Sequence, residues 1–198
     1  MARPRVHDDA LRDRLVAAAA RTLTEEGSAA LSLRRLATRC GTSTAAVYTL
    51  FGGKDELLEA VREAAVSSFS AAQHAIGTTD DPEADLRRLG HAYRDWALGH
   101  PDLYAVMFDA PPQGASPAGS WLEFEGIAPL VEAVRRVLPT SRAAELPAAV
   151  LSLWAGVHGY VALELGSCAG LPAKARETAF SRQLDILQAA WGSSSSAA

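Results

Sequence analysis

Two short helical patterns meet at a single glycine between Ser32 and Lys54, in the run SLRRLATRCGTSTAAVYTLFGGK, and that spacing leaves this chain few ways to fold. Ser32 stands where its hydroxyl can accept a free N–H of a first helical turn, so it sets a helix start. Leu33, Leu36, Ala37 and Cys40 then recur on one face, with Arg34, Arg35, Thr38 and Arg39 on the other. Ala37 is small where two helices must cross closely. Gly41, four residues on, supplies the positive φ that ends a helix cheaply. Thr42 and Ser43 offer capping hydroxyls for a second helix, Thr44 to about Leu50, whose Val47 faces the first. The other side displays Ser43, Thr44, Ala45, Ala46, Tyr48 and Thr49, groups small or polar enough to enter a DNA major groove. Gly52 and Gly53 break the chain again. Lys54 opens a third helix with Asp55 and Glu56 in its first turn, as the helix dipole prefers. This is the spacing of a helix-turn-helix.

From about Leu11 to Val61 the chain resembles the N-terminal DNA-binding domain of TetR/AcrR-family regulators. Leu36, Ala37, Gly41, Ser43, Val47, Tyr48, Phe51, Lys54 and Leu57 stand at the positions of that family's pattern, with Thr42 in place of the usual valine. The resemblance implies that Tyr48 and Lys54 grip backbone phosphates. It further implies that Ser43, Thr44, Ala45 and Thr49 meet bases or phosphates, and that Arg34 adds a contact from the preceding helix. For Ser43 a cap and a DNA contact both stand open. Phe51 and Leu57 read as core.

Net charge is −4, which argues against a protein that coats nucleic acid by bulk charge alone. The charge is unevenly spread: residues 1–62 carry ten Lys and Arg against eight Asp and Glu, and the acidic excess lies in the remainder. Arg3 and Arg5 precede the first helical pattern, in a tail that reads equally as a basic arm for DNA or as a disordered terminus. Cys40 and Cys168 each sit in an apolar helical context and read as reduced and buried. No Cys/His cluster suggests a metal, and no cofactor is expected. No signal-peptide core is present and no uninterrupted apolar run reaches membrane-spanning length, so the expectation is a cytoplasmic protein with no membrane partner.

Helical patterns fill the rest, and no strand pattern competes. The expected helices are Asp8 to Glu26, the two of the motif, Lys54 to about Ile76, one opening at Pro82, Pro101 to about Phe108, Trp121 to Leu138, Arg142 to about Gly166, and about Ala173 to Trp191. Between them, APPQGASPAGS reads as a mobile loop. The fold class is therefore all-α, with about nine helices. A helix-turn-helix domain with its N-terminal arm takes residues 1–60, a larger helical effector-binding and dimerisation domain takes 61–192, and 193–198 form a disordered tail. Leu146 to Leu165 is apolar nearly all round and so must be covered on every side. The family resemblance implies that the last two long helices pair with their copies in a homodimer, which reads a palindromic double-stranded DNA operator.

Trp154, His158 and Gly159 resemble the Trp-x-x-x-His-Gly sequence of one TetR subgroup. Gly156 and Gly159 read as sites of close helix packing. The resemblance also implies a small-molecule effector, and Tyr93, Trp96, Tyr104, Met107, Phe108, Trp121, Phe124, Trp154 and His158 are the candidates to line its pocket. His158 serves either as a polar anchor or as a hydrogen-bond partner of a neighbouring helix. The rival class is an all-helical small-molecule-binding protein or enzyme without operator binding. Carboxylates and histidines are available, but none has Glu-x-x-His spacing, and neither a nucleophile elbow nor a phosphate-cradling loop occurs. The expectation is a non-enzymatic regulator, most simply a repressor released by its effector.

Overall fold

The computed structural model describes residues 5–108, 120–123 and 125–191. Among these every regular element is a helix, and they form two compact units. One takes residues 5–68 and 100–108; the other takes 69–99 with the described residues from 120 onward.

The first unit contains α1 (Arg5–Glu26), α2 (Leu33–Arg39), α3 (Thr44–Phe51), the first two-thirds of α4 (Lys54–His74) and α6 (Pro101–Phe108). Leu15 and Ala19 of α1, Leu36 of α2, Val47 of α3 and Leu57 and Val61 of α4 form its buried core. At the end of α2, Gly41 takes φ 66°; its N–H donates to Thr38 O (3.2 Å) and the Thr42 N–H to Ala37 O (2.9 Å). This paired closure uses carbonyls that the helix end leaves free, and it turns the chain sharply into α3. Leu103 and Val106 bring α6 against the same core.

The second unit contains the end of α4, then α5 (Pro82–Gly99), α7 (Ala128–Val137), α8 (Leu146–Leu165) and α9 (Ala173–Trp191). Its core is Leu86, Ile127, Val134, Val150 and Leu153. Gly156 lets α8 and α9 approach, because a Cβ there would lie 2.7 Å from a Leu187 methyl; Gly159 meets nothing within 4 Å. A bidentate ion pair crosses this unit: Arg94 Nε and Nη2 donate to Glu164 at 2.7 and 2.6 Å, with Arg176 Nη1 3.3 Å away. Asp85 ties the turn before α5 to α7, accepting from the Thr79 N–H (2.8 Å), the Thr79 hydroxyl (2.7 Å) and Arg136 Nη1 (2.7 Å).

Several expectations are corrected. The helix expected from Trp121 begins at Ala128, after two short 3-10 turns, and the one expected from Arg142 begins at Leu146, after another. Pro129 and Pro147 explain both starts: a proline fits the first turn of an α-helix, but further in it removes a donor and clashes with the carbonyl four residues back. At the other end, α1 starts at Arg5 rather than Asp8. The segment Thr140–Leu165 is long and apolar enough to cross a membrane by length and composition, contrary to the sequence reading, though a core helix passes the same test. Cys40 and Cys168 are half-buried free thiols rather than core residues. The boundary expected at residue 60 lies within α4, which runs from Lys54 to His74, and the compact units divide after Ser68. The arm residue Arg3, the APPQGASPAGS loop up to Gly119 and the 193–198 tail lie outside the described residues.

Candidate nucleic-acid interface and ligand cavities

The α3 surface is assembled from its caps outward. The Ser43 hydroxyl accepts the Ala46 N–H at 3.1 Å, so it caps α3 and retains its own hydrogen for another partner. Val47 and Phe51 are buried, and this fixes which side of the helix faces out. Ala45, Tyr48 and Thr49 are exposed, and Thr44 is half-buried beside them. Tyr48 is 54 % exposed, so its ring and hydroxyl stand on the outward side of the helix. Thr49 donates its hydroxyl hydrogen to Ala45 O at 2.9 Å, which leaves its oxygen lone pairs outward as acceptors.

The arginines of α2 divide into two kinds. Glu26 holds Arg35 Nη2 at 2.8 Å and Arg39 Nη2 at 3.4 Å, and Arg39 Nη1 also donates to the Thr22 hydroxyl at 3.0 Å. The Arg35 hydrogen bond, more than any other influence, holds the Glu26 carboxyl below its usual range. These two cations therefore clamp α2 to the end of α1. Arg34 is exposed and makes no such pairing among the described residues. Lys54, at the start of α4, donates from Nζ to Ser28 O at 2.8 Å. It braces the turn that leads into α2, and two of its three N–H groups remain for an anion.

In the second unit two cavities share Gln73 and Leu89 as walls. The smaller, about 40 Å³, is an apolar slot between Phe69, Tyr93, Leu153, Trp154, Val157 and Leu184. The larger, about 230 Å³, has polar groups at its edge, among them His74, Asp85, Glu132 and Arg136. Phe69 packs edge-on against Tyr93 and Trp96, each at 5.1 Å between centroids. The Tyr93 hydroxyl and His158 Nδ1 are 2.9 Å apart, and the His158 ring lies 6.4 Å from that of Trp154. Gln73 is 5 % exposed, and its buried Nε2 has no hydrogen-bond partner among the described residues.

Of the aromatic candidates, Tyr93 and Trp154 line the slot, with His158 bonded to Tyr93 and Trp96 packed on Phe69. Tyr104, Met107 and Phe108 lie on α6 in the other unit, where the Tyr104 and Phe108 rings are 4.9 Å apart. Phe124 and the Trp121 side chain lie outside the described residues. Phe69 and Gln73 were not among the candidates. A signal for them existed: Leu57, Val61, Ala65, Phe69 and Gln73 are all buried, one stripe repeating every four residues along α4.

Comparison with known proteins agrees with this architecture. Residues 15–61 match the family described as bacterial regulatory proteins, tetR family, and residues 86–187 match the tetracyclin repressor-like C-terminal domain. The chain is 25% identical over 154 residues to the uncharacterized HTH-type transcriptional regulator Rv0681 of Mycobacterium tuberculosis, covering 78% of this chain and 70% of that protein. Its fold is similar to that of PfmR, a TetR family transcriptional regulator from Thermus thermophilus, with TM-score 0.65, 23% identity and coverage of 88% of this chain and 97% of that one. It is also similar to SmeT, solved in complex with triclosan, with TM-score 0.68, 21% identity and coverage of 94% and 93%. With its C-terminal match spanning more than half of the sequence and its helix-turn-helix matched separately, the chain belongs to the TetR family and is a DNA-binding transcriptional regulator.

Proposed function

We propose that the protein is a cytoplasmic repressor that binds a palindromic operator as a homodimer and is released when a small molecule enters the second unit. The observation that carries the DNA contact is the outward face of α3: a half-exposed tyrosine, a capped helix start and small residues, with no acidic group among them. Tyr48 and Lys54 take phosphates, while Ser43, Thr44, Ala45 and Thr49 face bases or the adjacent backbone, with Arg34 reaching in from α2. The free lone pairs of Thr49 suit a base amino group better than a phosphate.

The dimer reading rests on Leu151 and Leu163 of α8 and Ile186 of α9, large apolar side chains each more than half exposed. A second copy laid on these helices would cover them, and twofold symmetry then presents two α3 helices to two half-sites. The two cavities that meet at Gln73 and Leu89, the larger about 230 Å³ and the smaller walled by Tyr93 and Trp154, are together the place for an effector, and SmeT, of similar fold, is solved in complex with triclosan. The Trp154, His158 and Gly159 sequence supports reading this domain as one of the Trp-x-x-x-His-Gly subgroup. Functionally the chain divides near residue 60 into a reading head and an effector and dimerisation body, with a short tail after 192. Release requires that the effector bind the free form more tightly than the DNA-bound form. No catalytic role is assigned to any residue.

Selection of bound sequences from random duplex DNA tests this reading. It should return a motif with two inverted half-sites; the absence of any enriched motif would remove the operator assignment.

A further inference from the structure

Among the described residues, the buried end of the Gln73 side chain is the polar group at the two cavities whose chemistry is left unmet, and it narrows what can bind. We infer that the ligand of this site is an uncharged, largely apolar molecule carrying a hydrogen-bond acceptor, such as a carbonyl oxygen, that is received by Gln73 Nε2. This rests on the reading above that the second unit holds an effector.

The charged groups at the cavity walls are already engaged. Arg87 is paired with Asp185, Arg136 with Asp85 (2.7 Å), and the outward Glu132 with Arg135 (3.0 Å). His74 Nδ1 lies 2.8 Å from Ser70 O, and Gln188 Nε2 donates to Glu83 O at 2.6 Å. A carboxylate or ammonium on the ligand would have to break one of these pairs or enter an apolar slot without a partner, and both are costly. The larger cavity, about 230 Å³, has room for a small ring system, and the aliphatic and aromatic walls of the slot extend it past Gln73 as an apolar recess. Gln73 asks for a polar atom: its Nε2 is buried, unpaired and on the wall common to both cavities. A buried unpaired donor costs stability in the free protein, and an acceptor on the ligand relieves that cost on binding.

Three matched probes test this: acetylnaphthalene, isopropenylnaphthalene, which replaces the carbonyl oxygen with a methylene, and naphthoate, which is anionic. Calorimetric titration of the full-length protein should show the ketone binding about tenfold more tightly than the alkene, the value of one hydrogen bond, with naphthoate weaker than the ketone. In Gln73→Met, of similar length, the ketone and the alkene should bind equally. That variant should melt no lower than the parent, since it removes an unsatisfied group; a lower melting temperature means the amide has a partner in solution and overturns the inference. Equal binding of ketone and alkene to the parent, tightest binding of naphthoate, or a ketone preference that survives in Gln73→Met overturns the ligand class while leaving the pocket standing. Binding of none of the three overturns the cavity as a ligand site, and with it the effector part of the proposed function, without touching operator selection.

Discussion

Tyr48 and Lys54 carry the same proposed duty but differ in what else they do, and the difference is measurable. Tyr48 is half-exposed and packs little, so Tyr48→Ala should weaken binding to every operator by about 1–3 kcal/mol with no change in melting temperature. Lys54 also holds Ser28 O, so Lys54→Ala should weaken operator binding, reduce the salt dependence by about one counterion and lower the melting temperature as well. Titration against one operator at several salt concentrations, beside thermal melts, separates the two; an unchanged melt for Lys54→Ala contradicts the brace. At this scale the sequence was informative where one atom makes one local bond. Ser32 and Ser43 cap because capping is a three-residue affair, and Gly41 turns because positive φ is intrinsic to glycine. It was uninformative about which arginine of α2 is spoken for, because Glu26 and Thr22 meet Arg35 and Arg39 only once α1 and α2 have packed.

Between elements, the second unit depends on polar ties that leave no trace in a periodicity. Glu164 is buried on α8, paired bidentately with Arg94 of α5 and approached by Arg176, so Arg94→Met should destabilise the fold by about 2–4 kcal/mol, while Arg94→Met combined with Glu164→Leu should recover part of that loss, Arg176 then lacking its carboxylate. Denaturant titration of the two variants decides it; a double variant no more stable than the single contradicts the buried pair. Asp85 gives a pH dependence of definite sign. The Thr79 N–H and hydroxyl, then Arg136, hold its carboxyl well below the usual carboxylate range, so the folded state favours the ionised form. That contribution is full above the ordinary carboxylate pKa of about 4 and is lost as pH falls below it. Asp85→Asn should therefore flatten the acid limb of the stability curve, read by denaturant titrations at a series of pH values. The number and order of helices were legible because amphipathic stripes and terminators are local. The starts of α7 and α8 were not read, although Pro129 and Pro147 mark them; an apolar stripe runs straight through a 3-10 turn and hides the boundary. Gln73 escaped because one glutamine looks like any solvated residue until the stripe from Leu57 is followed to its end.

For the whole molecule, operator binding as proposed requires two copies. Leu151→Glu on α8 places a charge on each side of the twofold axis, so it should raise the dimer dissociation constant by roughly 100-fold and weaken operator binding with it, while leaving each protomer folded. Sedimentation at micromolar concentration reads the first effect, and circular dichroism the last. Although α8 is long and apolar enough to cross a membrane, it packs against α5, α7 and α9 as the core helix of a helical body does. Whether α3 reads DNA from two symmetric copies is decided by parallel selections from random duplex DNA with the parent and with Thr44→Asn. Both proteins should return inverted half-sites, with a changed base preference at one position in each half-site, related by the dyad. The same motif from both proteins would contradict it.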